Sequence, residues 1–267
     1  MRKTWPLLTL LLCTCASAQL RADIAHNTPP GQATMQVYDG EKVLFQATTP
    51  GLNAVTASKF SPDGRWLLNI ADGSGYVQLW DTAKGERVKT FLSVYFRIFG
   101  ADFTPDSERL LLDFSGSKER ADPRRPAYFP SPSLWNLATL ERISFVYNDK
   151  RESFYNGKVT FSQDGERMAF VRPNAYSSGP ASVWNAKTGA YIATISRLPY
   201  PKGAAQTGGA GAMDARLSPD GQRVLVRYVD NRLAEYDAST GTLLKVRGKF
   251  SAADAGAELE RFAREGR

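Results

Sequence analysis

Arg124 and Arg125 sit between Pro123 and Pro126, with Tyr128 and Phe129 just after. The prolines restrict the backbone and so lower the entropy lost when two cations are ordered on binding. Guanidinium forks match carboxylates or phosphates, and the two rings add apolar area beside them. Arg120, Arg151, Phe154, Tyr155, Arg172, Tyr176 and Tyr200 are of the same types, which are enriched at binding hot spots. These eleven residues are the candidate binding set.

Catalysis has less to work with. Cys13 and Cys15 are the two cysteines and both precede residue 19, while His26 is the single histidine. Nucleophilic triads need an imidazole or thiol beside their partner, and zinc sites need Cys and His clusters. Carboxylates remain, and glycoside hydrolysis or calcium binding needs only Asp and Glu. However, Asp63, Asp106, Asp164 and Asp220 all stand in turn sequences where Asp bonds its own backbone. The Gly-rich run 203–211 lacks the Lys-Ser/Thr ending of a phosphate loop, so it reads as a flexible connection. No cofactor and no metal site is expected.

The elements that must position these residues recur. Phe60-Ser61-Pro62-Asp63-Gly64, Phe103-Thr104-Pro105-Asp106-Ser107, Phe161-Ser162-Gln163-Asp164-Gly165 and Leu217-Ser218-Pro219-Asp220-Gly221 open four units. Their later partners are Trp80-Asp81, Trp135-Asn136, Trp184-Asn185 and Tyr236-Asp237. In the first unit the pattern predicts strands a to d at 55–60, 66–70, 76–80 and 87–91, punctuated by Pro, Asp and Gly turns. β-Branched and aromatic residues fill the stretches between turns. Short strands without a helical period indicate a sandwich, barrel or propeller, and a repeat near about 40–50 residues selects the propeller.

With these motifs the chain resembles the WD-repeat β-propeller family over about residues 34–247, most strongly at Val77-Gln78-Leu79-Trp80-Asp81 and Ser182-Val183-Trp184-Asn185. It departs from the family in lacking a Gly-His pair before strand a, so the family's His-containing hydrogen-bonded tetrad is missing. Ser-Pro-Asp-Gly turns are also similar to those of periplasmic Tol-type propellers. The resemblance therefore implies a divergent, bacterial WD-like propeller. It also implies that b–c and d–a connections emerge on one face. Two of these are expanded. Phe103 to Trp135 is 32 positions where Phe60 to Trp80 is 20, and Trp184 to Leu217 is 33 where Trp80 to Phe103 is 23. Residues 115–130, 148–156, 172–180 and 197–212 are thus expected to form one binding face.

The ends complete the reading. Arg2 and Lys3, the apolar run 6–15 and Ala16-Ser17-Ala18 form a signal peptide, cleaved near Ala18. This run is shorter than the roughly 18 apolar residues of a membrane span. The mature 249 residues carry 32 basic and 27 acidic side chains and no cysteine, so a large core rather than disulfides must hold the domain. The divisions expected are 1–18 leader, 19–33 flexible lead, 34–247 propeller and 248–267 helical tail. In the tail, Ser251 to Asp254 reads as a helix start, with Glu260 and Arg264 spaced to pair. Residues 35–40 and 42–47 read as strands c and d of a further half-blade.

The fold class expected is all-β: a small propeller of four to five blades of four-stranded antiparallel sheets, with a short C-terminal helix. Either an imperfect ring forms or the open edge meets a second subunit as a homodimer. The function expected is an exported, periplasmic or secreted, non-catalytic module binding a protein or an acidic envelope component, not nucleic acid. The alternative is a hydrolase or lyase using carboxylates or a divalent cation in the channel.

Overall fold

Consecutive strands pair with their sequence neighbours because the turns joining most of them are too short to permit another partner. The computed structural model describes residues 19–26, 32–50, 52–71, 74–92, 98–114, 133–147, 150–151, 157–171, 179–200 and 209–266; residues 1–18, expected to be a leader, lie outside them. The chain divides into two compact units, Met1–Phe103 with Arg109–Tyr128, and Thr104–Glu108 with Phe129–Arg267. The architecture is all-β and propeller-like, built from antiparallel sheets and one C-terminal helix.

The first unit holds the four-stranded sheet Ala57–Phe60, Trp66–Ala71, Tyr76–Asp81 and Glu86–Leu92, and the ladder Ile98–Phe103 with Arg109–Phe114. The second holds two further four-stranded sheets. One is Lys158–Phe161, Arg167–Val171, Ala181–Asn185 and Tyr191–Ile195. The other is Ala212–Leu217, Arg223–Tyr228, Arg232–Asp237 and Leu243–Lys249.

Local chemistry sets the turns. Ser61, Thr104, Ser162 and Ser218 each donate a hydroxyl to the Asp two residues on, at 2.5–2.6 Å. The same Asp oxygen accepts the backbone N–H two residues further, at Arg65, Glu108, Glu166 and Gln222. At the c–d turns, Asp81, Asn136, Asn185 and Asp237 each accept from the N–H groups two and three residues ahead. The Trp-Asp and Trp-Asn pairs are thus a packing ring followed by a turn cap. The indole N–H groups bond within their own strands: Trp135 donates to Ser133 at 3.0 Å and Trp184 to Ser182 at 2.8 Å.

Two expectations about the ends are corrected. The segment 19–33 is not simply a flexible lead: Leu20–His26 is a strand, paired with Gln32–Asp39 from Leu20↔Asp39 to His26↔Ala33. The half-blade is therefore a three-stranded sheet, completed by Lys42–Pro50. Leu20 with Met35 and Val37 packs on Leu67 and Trp80 of the next sheet. Its other face is polar, with Thr34 bonded to Thr48 at 2.9 Å, Gln36 to Gln46 at 3.0 Å and Arg21 to Asp23 at 3.2 Å.

At the other end, the helix Ala252–Glu265 buries Ala255, Leu259 and Phe262 against Leu225 and Leu233 of the last sheet. Glu260, which the spacing pairs with Arg264, instead pairs with Arg216 at 2.8 Å. The helix takes a place that a repeat would take. In the preceding sheet, Arg167 reaches across to Gly221 O, and Gly221 lies against Ser162. One repeat later, Arg223 donates to Gly266 O at the helix C-cap, and Gly266 lies against Ser218. The helix end thus occupies on the last sheet the spot that an a–b turn occupies on the sheet before.

Candidate functional site

In the second unit the bases of two expected binding loops are tied together. Ala212 N–H donates to Gly179 O at 3.1 Å, and Val229 N–H to Gly211 O at 3.0 Å. The 197–212 connection rises as a hairpin whose stem is Leu198–Pro199 paired with Gly209–Ala210. Arg232 clamps that stem. Its Nε meets Asp230 at 2.7 Å, its Nη1 donates to Pro199 O at 2.8 Å, and its guanidinium lies 5.9 Å from the Tyr200 ring centroid. Below them, Tyr228 and Tyr236 share a hydroxyl–hydroxyl bond of 2.5 Å, and Tyr228 also donates to Ser196 O at 3.1 Å. Burial pushes both phenols above their ordinary range, so they stay neutral.

Of the residues singled out from the sequence, Tyr200 is placed with its side chain, half-buried at the hairpin stem. Arg151 is placed by its backbone, in the ladder Val146–Tyr147 with Lys150–Arg151. Arg120, Arg124, Arg125, Tyr128, Phe129, Phe154, Tyr155, Arg172 and Tyr176 lie outside the described residues. Arg232 and Asp230 escaped the sequence reading. Their b–c turn is short, and only its position between strands b and c marked it as part of the same set of connections.

Carboxylates on the first strands of the sheets are engaged. Asp102 pairs with Lys59 at 2.8 Å in the first unit. In the second, Asp214 meets Lys158 at 3.2 Å and Arg216 at 2.6 Å, and Arg216 continues to Glu260. Turn carboxylates are equally committed. The Ser218 hydroxyl, then the Gln222 N–H, hold Asp220 below the usual carboxylate range, and the Thr240 N–H and hydroxyl do so for Asp237. Among the described residues, no group of three or more His, Cys, Asp and Glu is placed to hold a metal ion, and no helix is long and apolar enough to cross a membrane.

No protein-family model matches the chain. It is 58% identical over 262 residues to a protein of Deinococcus radiodurans described as an uncharacterized WD repeat-containing protein, and the alignment covers 98% of each chain.

Proposed function

The chain belongs to the WD repeat-containing proteins, and from that premise we propose that it is an exported, non-catalytic interaction module that binds a protein or an acidic envelope component through its b–c and d–a connections. The observation that carries this reading is the clamped base of the loops in the second unit, where Arg232 and the Gly179–Ala212 bond hold two connections on one rigid support. Loops on a rigid scaffold are where binding concentrates. The net charge of +5 left after the leader supports an acidic partner.

The test is affinity capture from envelope extracts with the mature protein as bait, the retained partner being identified by mass spectrometry. Capture should weaken in the Arg124→Ala/Arg125→Ala variant and in Tyr200→Ala. A partner held equally well by both, but released by substitutions at the opposite a–b turns, would refute the assignment of this face.

A further inference from the structure

The two legs of the 197–212 hairpin are held by different means. On the second leg the ties run from backbone to backbone, Ala212 N–H to Gly179 O and Val229 N–H to Gly211 O. On the first leg and the residue leading into it, carbonyls accept from side chains of the last sheet instead. The Tyr228 hydroxyl donates to Ser196 O at 3.1 Å. Arg232 donates through Nη1 to Pro199 O at 2.8 Å and through Nη2 to Leu198 O at 3.4 Å.

Packing accounts for the lower part of the first leg and not for the upper part. Leu198 and Ala210, 3% and 0% exposed, belong to the core formed by the last two sheets. Above them Pro199 is exposed and Tyr200 is half-buried, and Pro199 has no N–H to give to the short ladder it makes with Gly209. The group that reaches this level is the Arg232 guanidinium, on a side chain only 14% exposed. Asp230 is wholly committed to it: Oδ2 meets Nε at 2.7 Å, and Oδ1 accepts the Arg232 backbone N–H at 3.2 Å. The fork is therefore oriented from its own turn before it meets the hairpin, and the Tyr200 ring centroid lies 5.9 Å from it.

We propose that Arg232 is a positioning residue for partner binding, setting the pose of Tyr200 through the carbonyls of Leu198 and Pro199 while Tyr200 makes the contact. This rests on the loop-face reading above and assigns the two residues different roles in it. A guanidinium suits the task because its rigid planar fork spreads donors toward one carboxylate and two carbonyls at once. An ammonium offers a single nitrogen on a flexible stem and does not span the same three acceptors. Nε, Nη1 and Nη2 all have acceptors within the chain, so Arg232 acts through the ring beside it and not as a free cation for an acidic partner. Charge and geometry then make opposite predictions for Arg232→Lys, which keeps the first and loses the second.

Hydrogen exchange on the mature protein alone tests the pose. In Arg232→Lys the amides of Leu198, Tyr200, Gly209 and Ala210 should exchange roughly tenfold faster than in wild type, while Arg167–Val171 and Arg223–Tyr228 keep their protection. Binding is read as titrated retention from envelope extract. Arg232→Lys and Tyr200→Ala should each weaken it by roughly tenfold, and the double variant should be no weaker than Tyr200→Ala alone, because the two act as one unit. Wild-type exchange in Arg232→Lys, wild-type binding by it, or losses that add in the double variant would each overturn the proposal and leave the loop-face reading standing. Faster exchange throughout both sheets would mark Arg232 as a residue of general stability and overturn it as well. Wild-type binding by Tyr200→Ala would instead sink the loop-face reading at this hairpin, and the proposal with it.

Discussion

Gly241 and Gly40 share a left-handed backbone but not their surroundings. Gly241 (φ 72) lies against the Thr194 carbonyl, whereas Gly40 (φ 58) has open space. Gly40→Ala should cost about 1 kcal/mol, the conformational term alone. Gly241→Ala adds a clash with backbone and should cost more than about 2 kcal/mol, a gap that urea unfolding of the two variants will reveal. The buried Tyr228–Tyr236 pair makes a different prediction. Its phenols are raised above 10.0, so the folded state resists their ionisation while the unfolded state does not. Stability should therefore be full below pH 10 and fall as pH rises beyond it. A Tyr228→Phe/Tyr236→Phe variant should lose less between neutral and alkaline pH than wild type in paired denaturation curves. Tyr228→Phe alone should cost about 1–2 kcal/mol at neutral pH because it strips the Tyr236 hydroxyl of its partner.

The C-terminal helix stands in for a repeat, and its energetics reflect that. Phe262 is fully buried, with the Arg223 and Arg247 guanidiniums 5.7 and 5.3 Å from its ring centroid. Arg247 links Glu235 at 2.7 Å to Glu258 at 2.6 Å, and Arg223 meets Glu235 at 2.6 Å. Where the previous sheet has Val183, the last has Glu235, a carboxylate tolerable in a buried place because two cations meet it. Phe262→Ala should destabilise by about 3–5 kcal/mol. Hydrogen exchange should place the loss in 223–249 and the helix, with the first unit keeping its protection. Equal loss of protection across both units would contradict a cap that serves the last sheet.

On the scale of the whole molecule, two of the sheets are covered in unlike ways. A three-stranded sheet with a polar, hydrogen-bonded outer face stands at the start, and a helix covers the last sheet at the finish. Export and partner binding are tested at this scale. N-terminal sequencing of protein recovered from the envelope should begin at Gln19. Arg124→Ala/Arg125→Ala should leave thermal stability within about 0.5 kcal/mol of wild type while weakening partner binding by roughly 1–3 kcal/mol, measured by calorimetry.

Strand positions in the full repeats were legible because their causes are local. The Ser-Asp and Asx turns close within a few residues, and the expected 66–70 and 76–80 became Trp66–Ala71 and Tyr76–Asp81. Ser251 was legible as a helix cap for the same reason, accepting from Asp254 N–H at 3.1 Å. The strand Leu20–His26 was not, because its stability comes from pairing with Gln32–Asp39 and packing on Trp80, across a Pro-rich stretch that reads as a lead. Arg232 at the stem of the 197–212 hairpin and Glu235 beneath the helix likewise have no local signature. Turn chemistry is written in neighbouring residues, so sequence alone determined the repeat and its sheets. Which side chains meet between connections, and what covers the last sheet, depends on groups more than ten residues apart in the chain, and only tertiary packing decides those.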